Sequence, residues 1–205
     1  VRSRARPLAA MGRVVGDRNA RNALVFMALV IASGFTIIPF ITIYLVSNVG
    51  INQTQVPLIY LFGGLASFFS SRWIGRLADR HGKRRVYRTV AFAALLPLLA
   101  ITHLPPVPIT IVLIVTTAFF VLVPGRMVPA VAIVTAAVRP ELRGTFMSLA
   151  ASMQQLASGA AAFIGGLIVT TGDDGRLLRY DLAGYVALTV TLAAIYAVRR
   201  IEIRN

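Results

Sequence analysis

The chain has 205 residues, of which 57% are hydrophobic and 14% charged, with a mean hydropathy of +0.77 and a net charge of +14. That balance is too apolar for an ordinary water-soluble domain, and the absence of cysteine excludes disulfide staples, thiolate metal sites and cysteine nucleophiles. The basic residues sit between apolar blocks and not on one clustered face, so the charge does not point to nucleic acid.

Residues 1–22 form a basic arm carrying Arg2, Arg4, Arg6, Arg13, Arg18 and Arg21. Leu8, Met11, Val14 and Val15 are spaced so that the arm is either a short amphipathic helix on the membrane surface or a solvated linker. No signal peptide is visible, and the chain starts with Val1, which suggests a fragment of a longer chain. Uncharged apolar stretches then predict six membrane-spanning helices near 23–46, 56–76, 86–103, 108–138, 145–170 and 182–198, followed by a short tail over 201–205. The fold class expected is an all-α membrane protein, with a single bundle over 23–200.

All but three of the 21 Lys and Arg residues fall in the arm, the second and fourth connections and the tail; the exceptions are Arg126, Arg176 and Arg179. Because Lys and Arg resist translocation, that side is cytoplasmic and both termini lie inside, which an even number of spans satisfies.

Span one carries Ser33, Thr36, Phe40 and Tyr44 within an arc of about 80°, with Pro39 freeing a backbone carbonyl in the same helix. The stripe fits either a wet cavity or a helix–helix seam whose hydroxyls bond back to their own backbone. In span four, Pro124-Gly125-Arg126-Met127-Val128-Pro129 interrupts an apolar run. Arg126 is the one ionisable residue well inside a span, about 20 Å along the helix from Arg139. An unpaired guanidinium in hydrocarbon is costly, so Arg126 is expected to face a cavity, a partner carboxylate or backbone carbonyls. It either binds an anionic solute group, or pairs with an acid from elsewhere, or braces the kinked backbone. Phe119 lies roughly in line with it, as a stacking face or plain packing. Span five lines up Ser148, Ser152, Gln155, Gly159, Ala162 and Gly166, which reads as a small-residue packing stripe, with Gln155 also able to reach a cavity. No Walker loop, metal-ligand cluster or catalytic triad is present, so an enzyme, a cofactor and direct ATP coupling are not expected.

Between spans two and three stands Gly75-Arg76-Leu77-Ala78-Asp79-Arg80-His81-Gly82-Lys83-Arg84-Arg85. Gly75 allows close helix approach, Gly82 permits a tight turn, and Asp79 is a surface negative charge placed for a helix N-terminus or an arginine. This loop resembles the signature of the major facilitator superfamily at Gly75, Leu77, Ala78, Asp79, Arg80, Gly82, Lys83 and Arg84. Arg139-Pro140-Glu141-Leu142-Arg143-Gly144 is similar to a second loop of those carriers. The resemblance implies a six-helix half bundle made of two three-helix inverted repeats. With no Gly-Pro signature in span five, it implies the C-terminal half of a bacterial drug or sugar efflux carrier in the inner membrane.

By the same resemblance, Asp79 would clasp the opposite half, and the first and fourth helices would border a central cavity. The partners implied are the lipid bilayer, the other six-helix half or a second copy, a small-molecule substrate and protons in antiport. The reading from another class is a membrane sensor or assembly protein that keeps the bundle without transport.

Overall fold

The computed structural model describes residues 7–203, with side chains from Ala10 onward. Arg2, Arg4, Arg6 and Arg204, used above for topology, and the Leu8 side chain lie outside the described residues. The first helix, α1 (Pro7–Gly16), packs on α2 (Arg18–Phe35) and on α8 (Arg143–Ile168), burying Ala10 and Val14. The arm is therefore helical here, with one face against protein. Asp17 caps α2 by accepting from the Asn19 backbone N–H at 2.8 Å, so the first long helix starts inside the residues assigned to the arm.

Pro39 supplies no N–H, and around it α2 gives way to a 3₁₀ turn (Ile38–Phe40), a single α-turn, α3 (Ile41–Tyr44), and a π turn (Leu45–Val49). Gly50, at φ +87°, closes this first span. Helix α4 (Val56–His81) ends on Gly82 at φ +89°, which makes the sharp turn expected of it and starts α5 (Lys83–Thr102). The fourth predicted span is two helices, α6 (Ile109–Gly125) and α7 (Met127–Ala136), meeting at Arg126 between Pro124 and Pro129. Then come α8, a small antiparallel hairpin of β1 (Thr170–Thr171) and β2 (Leu177–Leu178), and α9 (Tyr180–Ala197). The hairpin has no counterpart in the sequence reading, which leaves 172–181 as a plain connection.

Among the described residues, four stretches are long and apolar enough to cross a membrane: 18–49, 83–102, 109–136 and 180–200. The helices α4 and α8 have 26 residues each, about 39 Å and longer than a bilayer core of about 30 Å. Their Gly and Ser, with Arg72 in α4 and Gln154 and Gln155 in α8, make them less apolar than the other four.

Helices α2, α5, α6, α7 and α9 form the centre, α4 leaning on α6 and α5, and α8 on α2. The core has two main parts. One, toward the termini, contains Phe26, Tyr87, Ile133, Phe146 and Ile195; the other, toward the hairpin, contains Ile37, Ile41, Leu98, Phe119 and Tyr180. Side chains tie off each end. Asn19 donates to Ala137 O (2.9 Å) and Glu202 O (2.8 Å) and accepts from Glu202 N–H (2.8 Å). Asn48 brackets Leu177 in the same way, donating to its carbonyl at 2.8 Å and accepting from its N–H at 2.9 Å. In each case an amide side chain satisfies backbone groups that no helix or ladder serves.

Candidate functional site

Arg126 sits at the α6–α7 break, only 1% exposed, and reaches across the bundle. Its Nη2 donates to Ser33 Oγ at 2.7 Å and to Val30 O at 3.4 Å, and its Nη1 donates to Thr191 Oγ1 at 3.1 Å. Ser33 and Thr191 each donate back to their own helix, to Val30 O (2.9 Å) and Ala187 O (2.8 Å), so both are oriented to accept from the guanidinium. One cation thereby joins the α6–α7 junction to α2 and α9. None of these partners is acidic, and Arg126 Nε and the nearby core residue's phenol, Tyr87 OH, are buried without a hydrogen-bond partner. A buried charge with neutral partners and an unused donor is held at a cost in stability.

The residues matched by the Major Facilitator Superfamily family model are 23–203. The chain belongs to the major facilitator superfamily. Members of this superfamily are membrane transporters and not enzymes. None of the curated proteins compared matches the chain.

The loop that resembles the superfamily signature occupies the end of α4 and the start of α5. Ala78 is buried among Ile74, Val86 and Val90, with Leu77 packed beside them. Asp79 and Arg80 are exposed, and Asp79 has no ion-pair or hydrogen-bond partner among the described residues. Arg84 donates to Ile201 O, a link between the loop and the tail, and Lys83 is half-buried. Gly75 departs from expectation: a Cβ there would meet Val128 Cγ1 at 3.7 Å, an ordinary contact. The close approaches between α4 and α6 are instead at Gly63, against Phe120, and Gly125, against Ile74.

The other candidate residues do not converge on one open cavity. Thr36 is buried and donates back to Ala32 O at 2.8 Å, which realises the seam reading for that position. Phe40, half-buried, lies against α8 at Gly165 and Gly166. Tyr44 donates to Leu104 O at 3.0 Å, with its ring 4.6 Å from that of Tyr180. Phe119 is fully buried against Phe120. Gln155 is exposed and borders, with Gln154, Ser158, Ile31 and Phe35, an open groove of about 270 Å³ between α2 and α8.

The stripe on α8 also needs correction as a seam within this chain. Ser148, Ser152, Gly159 and Gly166 are exposed, and the packed face is Phe146, Ala150, Ala161 and Gly165. At Gly165 a Cβ would come 2.5 Å from Thr36 O, so this glycine is the one that lets α2 and α8 touch. The 100° repeat places two stripes of small residues on α8, and spacing alone does not choose the inner one. Thr191, a partner of Arg126, and Asn19, the clamp on the tail, are positions the sequence reading passed over; their signal was a hydroxyl in an apolar helix and an amide beside a helix cap.

Proposed function

We infer that the chain forms one six-span bundle of a secondary carrier that moves a small solute by alternating access, with proton-coupled efflux as the direction. Both termini lie on the cytoplasmic side of the inner membrane, and α4 and α8 complete the count of spans. The observation that carries this reading is Arg126: within a superfamily of transporters, a buried cation without a counter-charge sits at a break in a spanning helix. Broken spans with unpaired charge mark solute and ion paths. An anionic solute group, or an acid of the opposite bundle, supplies the missing charge when the bundle rearranges.

The second bundle, or a second copy of this one, covers the outward faces of α4 and α8. Supporting this are Phe68, Phe69 and Trp73 on α4 and Leu156, Phe163 and Leu167 on α8, each at least 65% exposed. The exposed Ser148, Ser152, Gly159 and Gly166 stripe adds a surface on which another helix can approach closely. Asp79 is free to meet an arginine or helix end of that second bundle.

The test is solute movement by the product of the complete gene, in membrane vesicles with an imposed pH gradient and a panel of anionic and cationic dyes. Gradient-driven transport is expected for the unaltered protein, a loss of about tenfold or more for Arg126→Ala, and partial retention for Arg126→Lys. Unaltered rates in both variants overturn the role of Arg126. The absence of any gradient-dependent movement favours the non-transporting sensor.

A further inference from the structure

We propose that the start of α5 holds a binding site for the phosphate headgroup of an anionic phospholipid. Arg84, Arg85, Arg88, Thr89 and Phe92 line an open cavity of about 380 Å³ there. Arg85, Arg88, Thr89 and Phe92 are separated by three, four and seven positions, so they share one helix face. Arg84 forms the adjoining edge and is held in place by its bond to Ile201 O.

The charge in this cavity is unbalanced. Among the described residues, three guanidinium groups line it and no Asp or Glu does. In addition, Arg84 Nε and Arg88 Nε are buried without a hydrogen-bond partner. Three cations beside one another without a counter-charge are unfavourable, and a phosphodiester, with two non-bridging oxygens and a negative charge, offsets that imbalance through guanidinium contacts. Thr89 Oγ1 already donates to Arg85 O at 3.1 Å, so what it offers is an acceptor, suited to a hydroxyl of a glycerol headgroup.

The same face then turns apolar along the span. Phe92 is 49% exposed and Leu96, one turn further on, is 78% exposed. Lys83–Thr102 is among the stretches apolar enough to cross a membrane, so the arginines stand at its interfacial end and the apolar pair descends into hydrocarbon. A free phosphate ion gains nothing from Phe92 and Leu96, whereas an acyl chain covers them; the pair favours a lipid.

The experiment is native mass spectrometry of the purified protein in neutral detergent, with phosphatidylglycerol, phosphatidylcholine or inorganic phosphate added. Phosphatidylglycerol should be retained about fivefold or more over phosphatidylcholine, and excess phosphate should not displace it. Arg85→Gln with Arg88→Gln should remove that preference by about tenfold, while Arg139→Gln with Arg143→Gln, an equal loss of charge at exposed residues elsewhere, should keep it. If the double variant does not fold, Arg85→Gln alone, at an exposed position, should still lower the preference about threefold. Equal retention of both lipids, or equal loss in the two double variants, would overturn a local site. Displacement by phosphate would replace it with a free-anion site.

Discussion

The guanidinium of Arg126 is bonded to two hydroxyls and a carbonyl, each already committed to its own helix, and to no carboxylate. Replacing such a charge with an apolar side chain of similar reach is neutral or stabilising, whereas a group that braces the kink is missed when removed. Arg126→Met is therefore expected to keep or raise the melting temperature by about 2–4 °C while transport is lost; a marked fall in melting temperature would show a brace instead. Ser33→Ala removes the shortest bond to the guanidinium, at 2.7 Å, and is expected to cost about 1.5–3 kcal/mol. In an Arg126→Met background that cost should shrink toward zero, a coupling that a double-mutant thermal cycle reads directly. At this scale the cation was legible because a lone Arg in hydrocarbon demands an explanation. Its partner Thr191 was not, because a hydroxyl in a helix satisfies itself locally, as Thr191 also does with Ala187 O.

Individual helices show a similar division. Gly82 at the end of α4 and the Pro124–Pro129 interruption of the fourth span were readable, since turn geometry and missing N–H groups act locally. Which stripe of α8 faces inward was not, because Ser148, Ser152 and Gly159 on one side and Ala150, Ala161 and Gly165 on the other both suit close packing. The choice depends on where α2 lies, and that is a tertiary fact. A Cβ at Gly165 would collide with the Thr36 carbonyl, whereas nothing lies within 4 Å of one at Gly159. Gly165→Ala should destabilise the bundle by about 1–3 kcal/mol, and Gly159→Ala should leave its stability within about 0.5 kcal/mol, both measured by thermal unfolding in detergent. If Gly159→Ala nonetheless impairs transport, that glycine contacts something beyond this bundle.

Across the whole molecule, the membrane character and the family followed from apolar blocks, basic connections and the loop around Asp79, which agree because each records the same alternation of lipid and water. The amide clamps at Asn19 and Asn48 escaped notice because they join residues more than 100 positions apart, and the hairpin because each of its strands is only two residues long. What remains most exposed to test is the path of α4 and α8, the two long helices less apolar than their neighbours. The natural absence of cysteine makes this approachable with single Thr54→Cys, His81→Cys, Glu141→Cys and Asp173→Cys variants, all at exposed positions flanking these helices. With a membrane-impermeant maleimide on intact cells, Thr54→Cys and Asp173→Cys should label at once, and His81→Cys and Glu141→Cys only after the membrane is opened. Labelling of Thr54→Cys and His81→Cys from the same side, or of Glu141→Cys and Asp173→Cys from the same side, would contradict the six-span bundle.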